Sequence, residues 1–190
     1  MKPLKAITIE TRRLILRKPQ ISDAKEAFHN WMSDSQISDK LRWYPHESVD
    51  TTEFILGLWI DSDGTFIGVN WVIYLKSVKE VIGSINLYNF NLETLTAEVG
   101  YCLAKKYWNM GVASEALAAV INYAFSNGLE RIIAGHQIEN QASLKVMTKN
   151  NMVFYERRMV YFIKKNEDIP LYYYSITKKE WDNANASSKE

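Results

Sequence analysis

The spacing of hydrophobic and polar positions changes several times along this chain, and each change predicts an element. "ITIETRRLILRK", residues 7 to 18, alternates and reads as a first strand. "ISDAKEAFHNWMSD" follows with Ser22 as a candidate N-cap and places Ala24, Ala27, Phe28 and Trp31 on one helical stripe. "ESVDTTEFILGLWIDSDG" predicts a second helix that closes at Asp63-Gly64. "TFIGVNWVIYLK" and "EVIGSINLYNF" are β-rich runs separated by Ser77, Val78 and Lys79, which predicts a hairpin. "TLTAEVGYCLA" is the next strand, with Leu95, Ala97, Val99, Tyr101 and Leu103 on one face and Glu98, Gly100 and Cys102 on the other. From Ala113 the period switches, and Ala116, Leu117, Val120, Ile121, Ala124 and Phe125 form the core-facing stripe of a helix. That helix ends at Ser126-Asn127-Gly128, where a glycine suits the left-handed C-terminal position. "RIIAGHQI" predicts a strand and "NQASLKVMTKNN" a short helix, and "VFYERRMVYFIKK" and "LYYYSITK" finish the sheet. "DNANASSKE" at the end is small and polar and is expected to fray.

This order of elements predicts one α/β or α+β domain with a mixed sheet, covered on both sides because several strands carry aromatics on both faces. Composition narrows the class. The 190 residues fit one domain, and 47% hydrophobic with 24% charged residues is an ordinary globular balance. A net charge of +1 gives no argument for nucleic acid or an anionic membrane surface. No stretch is long and apolar enough for a membrane helix, and the N-terminus lacks a signal-peptide pattern. The single cysteine, Cys102, excludes an internal disulfide, and His29, His46 and His136 show no ligand spacing. A cytoplasmic, metal-free protein is the expectation.

The passage from strand to helix in "AEVGYCLAKKYWNMGVASEALAAVINYAF" carries the candidate chemistry. A packed helix presents unpaired amides and about half a positive charge at its first turn, and a glycine there lets a ligand approach the backbone. Gly111 therefore either opens a phosphate site or only relieves a tight turn. No Gly-Lys-Ser/Thr follows, so this is not a P-loop, and the glycines are too few for a dinucleotide fingerprint.

Taken with "IENQASLKVMTKNNMVF", this segment resembles the GNAT acyl-CoA N-acyltransferases, and within them the branch of the RimJ/RimL-type ribosomal-protein N-terminal acetyltransferases. The family turn, roughly Gln/Arg/Trp-x-x-Gly-x-Gly/Ala, is matched by Trp108-Asn109-Met110-Gly111-Val112-Ala113. "ETRRLILRK", "VIGSINL", "AEVGY" and the spacing Asn140, Ser143, Val146, Lys149 also match, over residues 8 to 180. Two positions depart from the branch: Asn109 stands where a glycine is usual, and Lys149-Asn150-Asn151-Met152 replaces Lys-x-Gly-Phe. Asparagine tolerates the left-handed region best among non-glycine residues, so both turns are expected to survive.

The resemblance implies a single domain at 8–180, with a tail at 181–190 and a mixed, mostly antiparallel sheet flanked by helices. It implies acetyl-CoA as co-substrate, with its pyrophosphate on the amides from Trp108 through Asn109, Met110, Gly111, Val112 and Ala113 to Ser114. It also implies a bulge in the strand of Glu98, which splays it from its neighbour and admits the pantetheine arm beside Tyr101, Cys102 and Leu103. Glu98 is the implied base for the attacking amine, although its pattern fits a solvent-facing glutamate equally well, and a bulge would leave its face open. Asn140 reads as an N-cap for the amide of Ser143, and the resemblance adds a pantetheine contact. Ser143 would lie near the sulfur and assist thiolate departure. Cys102 could carry an acyl group, but it has no histidine neighbour in sequence, and a small buried thiol is the commoner role. Trp31, Trp43, Tyr44 and His46 line either an acceptor groove or the core, and Lys105-Lys106 meet either phosphate or water.

The function expected is acetyl transfer to an amine by direct attack in a ternary complex. The branch points to a protein N-terminus as acceptor. A small amine such as a polyamine or aminoglycoside, or a non-catalytic acyl-CoA-binding domain, stands as the alternative. A homodimer is an expectation drawn from the family.

Overall fold

The computed structural model describes residues 1–187. Eight strands form one sheet: β1 (Ile9–Glu10), β2 (Leu14–Arg17), β3 (Gly68–Leu75), β4 (Glu80–Asn91), β5 (Thr96–Leu103), β6 (Arg131–Gln137), β7 (Val153–Phe162) and β8 (Glu167–Thr177). Their spatial order is β1-β2-β3-β4-β5-β6-β8-β7. All pairings are antiparallel except that of β5 with β6. The helices are α1 (Ala24–Ala27), α2 (Ser35–Ser38), α3 (Val49–Asp61), α4 (Val112–Ser126), α5 (Gln141–Thr148) and α6 (Lys178–Ser187). This is the single α/β domain with a mixed sheet that the pattern predicts, and it is mostly antiparallel as the resemblance implies.

One face of the sheet, with Leu14, Leu16, Trp71, Ile73, Ile85 and Val99, packs against the apolar stripe of α4. Trp71 meets Tyr123 edge to face at 5.5 Å, which ties β3 to α4. A smaller cluster of Ile133, Phe162, Leu171 and Tyr173 fills the far end of the other face. The predicted turns after the helices hold, with Gly64 at φ 80° beyond α3 and Gly128 at φ 95° beyond α4, and the Ser48 side chain caps α3 by accepting from Thr51 N at 3.1 Å.

Four local expectations are corrected. The first strand is instead a hairpin: β1 turns back at Thr11–Arg13 to pair antiparallel with β2, and Glu115 of α4 holds the turn by accepting from Thr11 Oγ1 and the Arg13 amide. Ser22 is not the cap of the next helix. It lies inside a 3-10 turn, where the Asp23 carboxylate accepts from Gln20 N at 2.8 Å. The helix then widens into a π turn over Phe28–Met32. The tail is helical through Ser187, because Thr177 and Glu180 form a reciprocal cap and Trp181 is buried in the core. Residues 188 to 190 lie outside the described residues. Finally, the bulge lies in β4 rather than β5. Tyr88 pairs with Glu98 and Asn91 with Thr96, so β4 carries the extra residue at Asn89–Phe90, with Asn89 at φ 51°.

Candidate functional site

The pairing of β5 with β6 is short. It runs from Thr96–Arg131 through Ala97–Ile132 to Glu98–Ile133 and stops. Beyond that point the β6-facing edge of β5, from Val99 to Leu103, has no strand partner. The two strands diverge into a V whose vertex is Glu98. Because β5 itself is regular, alternation holds, and Glu98 shares a face with Gly100 and Cys102 as the sequence predicts. A Cβ on Gly100 would lie 2.8 Å from Asn86 Oδ1, so a larger residue here would have to displace the Asn86 side chain across the ladder.

Glu98 does not face open water. It is 8% exposed, and its Oε1 accepts from Arg158 Nη1 at 3.1 Å. Arg158 also bonds Glu156 at 2.5 Å and lies 4.4 Å over the Tyr173 ring, whose hydroxyl accepts from Arg42 at 3.2 Å. Tyr88 stands directly across the ladder, and its burial beside the Glu98 carboxylate pushes its hydroxyl well above the ordinary tyrosine range. Hydrogen bonds to Glu156 and the charge of Glu98 hold the Arg158 guanidinium firmly protonated. An open cleft of about 650 Å³ adjoins Glu98, and Asn89, Asn91, Arg131, Tyr155 and Arg158 form part of its wall.

At the open end of the V the chain turns into α4. A 3-10 turn over Lys105–Tyr107 leads to Trp108, whose Nε1 donates to Leu103 O at 2.8 Å and closes the strand end onto the turn. Asn109 has φ 60° and Gly111 φ 73°, so both take the left-handed conformation. The first bond within the helix runs from Glu115 N to Gly111 O, and Gly111 has no side chain to cap with. The amides of Val112, Ala113 and Ser114 are thus left without an intrahelical acceptor at the positive end of a fifteen-residue helix. Substitution of Asn109 for glycine leaves this geometry intact. Asn151, the other departure, is likewise left-handed at φ 58°.

Across the V, α5 starts at Asn140, whose Oδ1 accepts from Ser143 N at 3.2 Å. Ser143 Oγ lies 2.8 Å from the Tyr101 hydroxyl, which also reaches Ser143 O at 3.2 Å. Burial raises the Tyr101 hydroxyl far above its ordinary value despite this bond, so it stays protonated. Asn150 fastens the far end of α5 to α4 by donating to Ser114 O at 3.2 Å and Val146 O at 2.9 Å. The structure thus gathers Glu98, Tyr101, Cys102, Leu103, Asn140 and Ser143 around one V, with Trp108 to Ser114 at its mouth.

Cys102 belongs to this arrangement as a thiol only, and the remaining candidates fall outside it. Burial pushes the Cys102 thiol up to about 12, which leaves almost no thiolate for acyl transfer at neutral pH. Lys105 pairs with Asp34 at 3.0 Å and Lys106 with Glu80 at 2.9 Å, so neither is turned to the helix start. Trp31 is fully buried core, Trp43 stacks edge to face on His46, and Tyr44 is exposed. Sequence reasoning missed Arg158, Tyr88, Arg42 and Tyr173. Their contacts span 60 to 131 residues for the two arginines, and a local pattern does not carry such pairings.

Comparison with known proteins agrees with this geometry. Residues 13–153 match the family model of the acetyltransferase (GNAT) domain. The uncharacterized N-acetyltransferase p20 of Bacillus licheniformis is 30% identical over 177 residues, covering 92% of this chain and 98% of its own. A GNAT-family acetyltransferase from Bacillus anthracis superposes with a TM-score of 0.79 at 29% identity, over 92% of this chain and all of that one. A shorter similarity, 33% over 75 residues, links 39% of this chain to 42% of the ribosomal-protein-serine acetyltransferase of Escherichia coli.

Proposed function

The chain belongs to the GNAT acetyltransferases and is an N-acetyltransferase, and from that premise we propose that it transfers the acetyl group of acetyl-CoA to a protein N-terminal amine. The observation that carries the donor site is the parting of β5 and β6 at Glu98, with the uncapped amides of α4 at the open end. In this reading the amides of Val112, Ala113 and Ser114 take the pyrophosphate, with Trp108, Asn109, Met110 and Gly111 shaping the turn. The pantetheine arm then runs along the unpaired edge of β5 past Tyr101, Cys102 and Leu103, with Asn140 opposite. The Leu103 carbonyl already accepts from Trp108, so its remaining lone pair is what the arm would meet.

The acceptor enters from the cleft beside Glu98. Glu98 takes a proton from the amine, directly or through water, and the neutral nitrogen attacks the thioester carbonyl. A carbon–nitrogen bond forms and the carbon–sulfur bond breaks. Ser143, whose Oγ lies 2.8 Å from the Tyr101 hydroxyl, gives its proton to the departing thiolate and is reprotonated, through solvent, by the second proton that the nitrogen sheds. Proximity in one cleft supplies much of the acceleration, and no covalent enzyme intermediate is required. The high thiol pKa of Cys102 supports this direct route over a cysteine relay.

The similarity to a ribosomal-protein-serine acetyltransferase favours a protein N-terminus over a small amine. The open cleft supports the same choice, since an extended chain end fits it without closure. The test is thiol release from acetyl-CoA with a panel of N-terminal peptides, set against polyamines and aminoglycosides. Turnover with peptides that start in serine or alanine is expected. Turnover confined to the small amines would overturn the choice of acceptor.

A further inference from the structure

The turn between β1 and β2 carries a set of contacts that the strand pattern does not require. Arg13 reaches from it to the start of α4, about a hundred positions along the chain. Its Nε donates to Glu115 Oε2 at 2.6 Å, its amide to Glu115 Oε1 at 2.9 Å, and its Nη1 to Met110 O at 2.8 Å. Thr11 Oγ1 completes the shell of the carboxylate at 2.6 Å. A Cβ on Gly111 would lie 3.5 Å from Arg13 Nη2, so the guanidinium stands directly against the turn.

Two physical consequences follow. A peptide is planar and trans, so its carbonyl and the next amide point in opposite directions. Holding the Met110 carbonyl on Arg13 therefore aims the Gly111 amide away from Arg13 and fixes the plane of the peptide that leads into the left-handed Gly111. Glu115, moreover, is an anion in the first turn of α4, where it competes with any other anion for the helix dipole. The Arg13 charge lies on that carboxylate and removes the competition.

We propose that Arg13 is the positioning residue of the phosphate turn, so that affinity for the phosphate half of the donor depends on it and affinity for the thioester half does not. The proposal rests on the reading of acetyl-CoA as donor. It is tested by titrating wild type, Arg13→Met and Thr11→Val with acetyl-CoA, and separately with S-acetylpantetheine, which keeps the thioester arm and lacks phosphate. Loss of a charge-assisted bond predicts acetyl-CoA affinity about ten- to a hundredfold weaker in Arg13→Met. S-acetylpantetheine binding should be unchanged, and Thr11→Val, which removes one donor from Glu115 and leaves Arg13 on Met110 O, should weaken acetyl-CoA less than Arg13→Met does. If Arg13→Met fails to fold, Arg13→Lys is read in the same way, because one ammonium cannot span Glu115 and Met110 O as the guanidinium does. Wild-type affinity for acetyl-CoA in the variant, or equal loss of both ligands, would overturn the assignment. A wild-type protein that binds neither ligand would instead overturn the donor reading beneath it.

Discussion

Replacing Glu98 by glutamine separates chemistry from structure. The residue is 8% exposed, and its Oε1 accepts from Arg158 Nη1 at 3.1 Å. Glutamine keeps the shape and still offers a carbonyl oxygen to Arg158, which itself keeps Glu156 at 2.5 Å. With Arg158 more than a third exposed, the lost charge pair is screened, and stability should change by no more than about 1 kcal/mol. Acetyl-CoA affinity should be unchanged, because Glu98 marks the vertex of the V and the helix amides stand at its mouth. In the proposed role, however, the amine loses its proton acceptor. Positioned bases contribute roughly a hundred- to ten-thousandfold, so kcat should fall by that factor, or about 3 to 5 kcal/mol in the barrier. The assay is thiol release at saturating acetyl-CoA with the best peptide of the acceptor panel, with melting and donor titration run on the same preparation. A folded Glu98→Gln protein with normal donor affinity and kcat within threefold of wild type would refute the base assignment.

Other perturbations test the frame around the site. Asn140→Ala removes the acceptor for Ser143 N and should cost about 1 kcal/mol of stability, while Asn140→Asp restores it; thermal melting distinguishes the two. Gly135→Ala places a Cβ 2.8 Å from the ring of buried Tyr173, which Arg42 and Arg158 hold in place. It should destabilise by about 1 to 3 kcal/mol, and a denaturation midpoint equal to wild type would contradict that packing. Burial lowers the pKa of both His46 and His136 in the folded protein. The unfolded chain therefore binds more protons, and stability is full above about pH 6.5 and declines as the pH falls below it. A melting temperature that stays flat between about pH 7.5 and about pH 5.5 would contradict the burial of these rings.

Much of the fold was legible because its signals are local. The stripe of α4, the alternation of β5, the Asn140 cap and the left-handed Asn109, Gly111, Gly128 and Asn151 each depend on a few neighbouring residues. The misreadings arise where distant partners decide. Glu115 holds the turn that reverses the first strand from more than a hundred positions away, and the β4 bulge is a matter of register between two strands. The tail was legible in principle: Thr177-Lys178-Lys179-Glu180 is a capping-box pattern, and Trp181 supplies the apolar anchor that the small residues after it lack. Glu98 was found as a residue, but its surroundings were not. Arg158 lies in "VFYERRMVYF", which reads as one more amphipathic strand until β8 and β6 bring it across the sheet.

An acyl-CoA with its phosphates on the start of α4, as proposed, must bind through that turn. Calorimetric titration of the purified protein with acetyl-CoA, alongside Gly111→Trp, measures this dependence. At φ 73° the variant carries both backbone strain and an indole over the amides, so one-to-one binding by wild type and none by the variant is the predicted result. Equal binding by both would move the donor off this helix, and no binding by the wild type would contradict the account at its root.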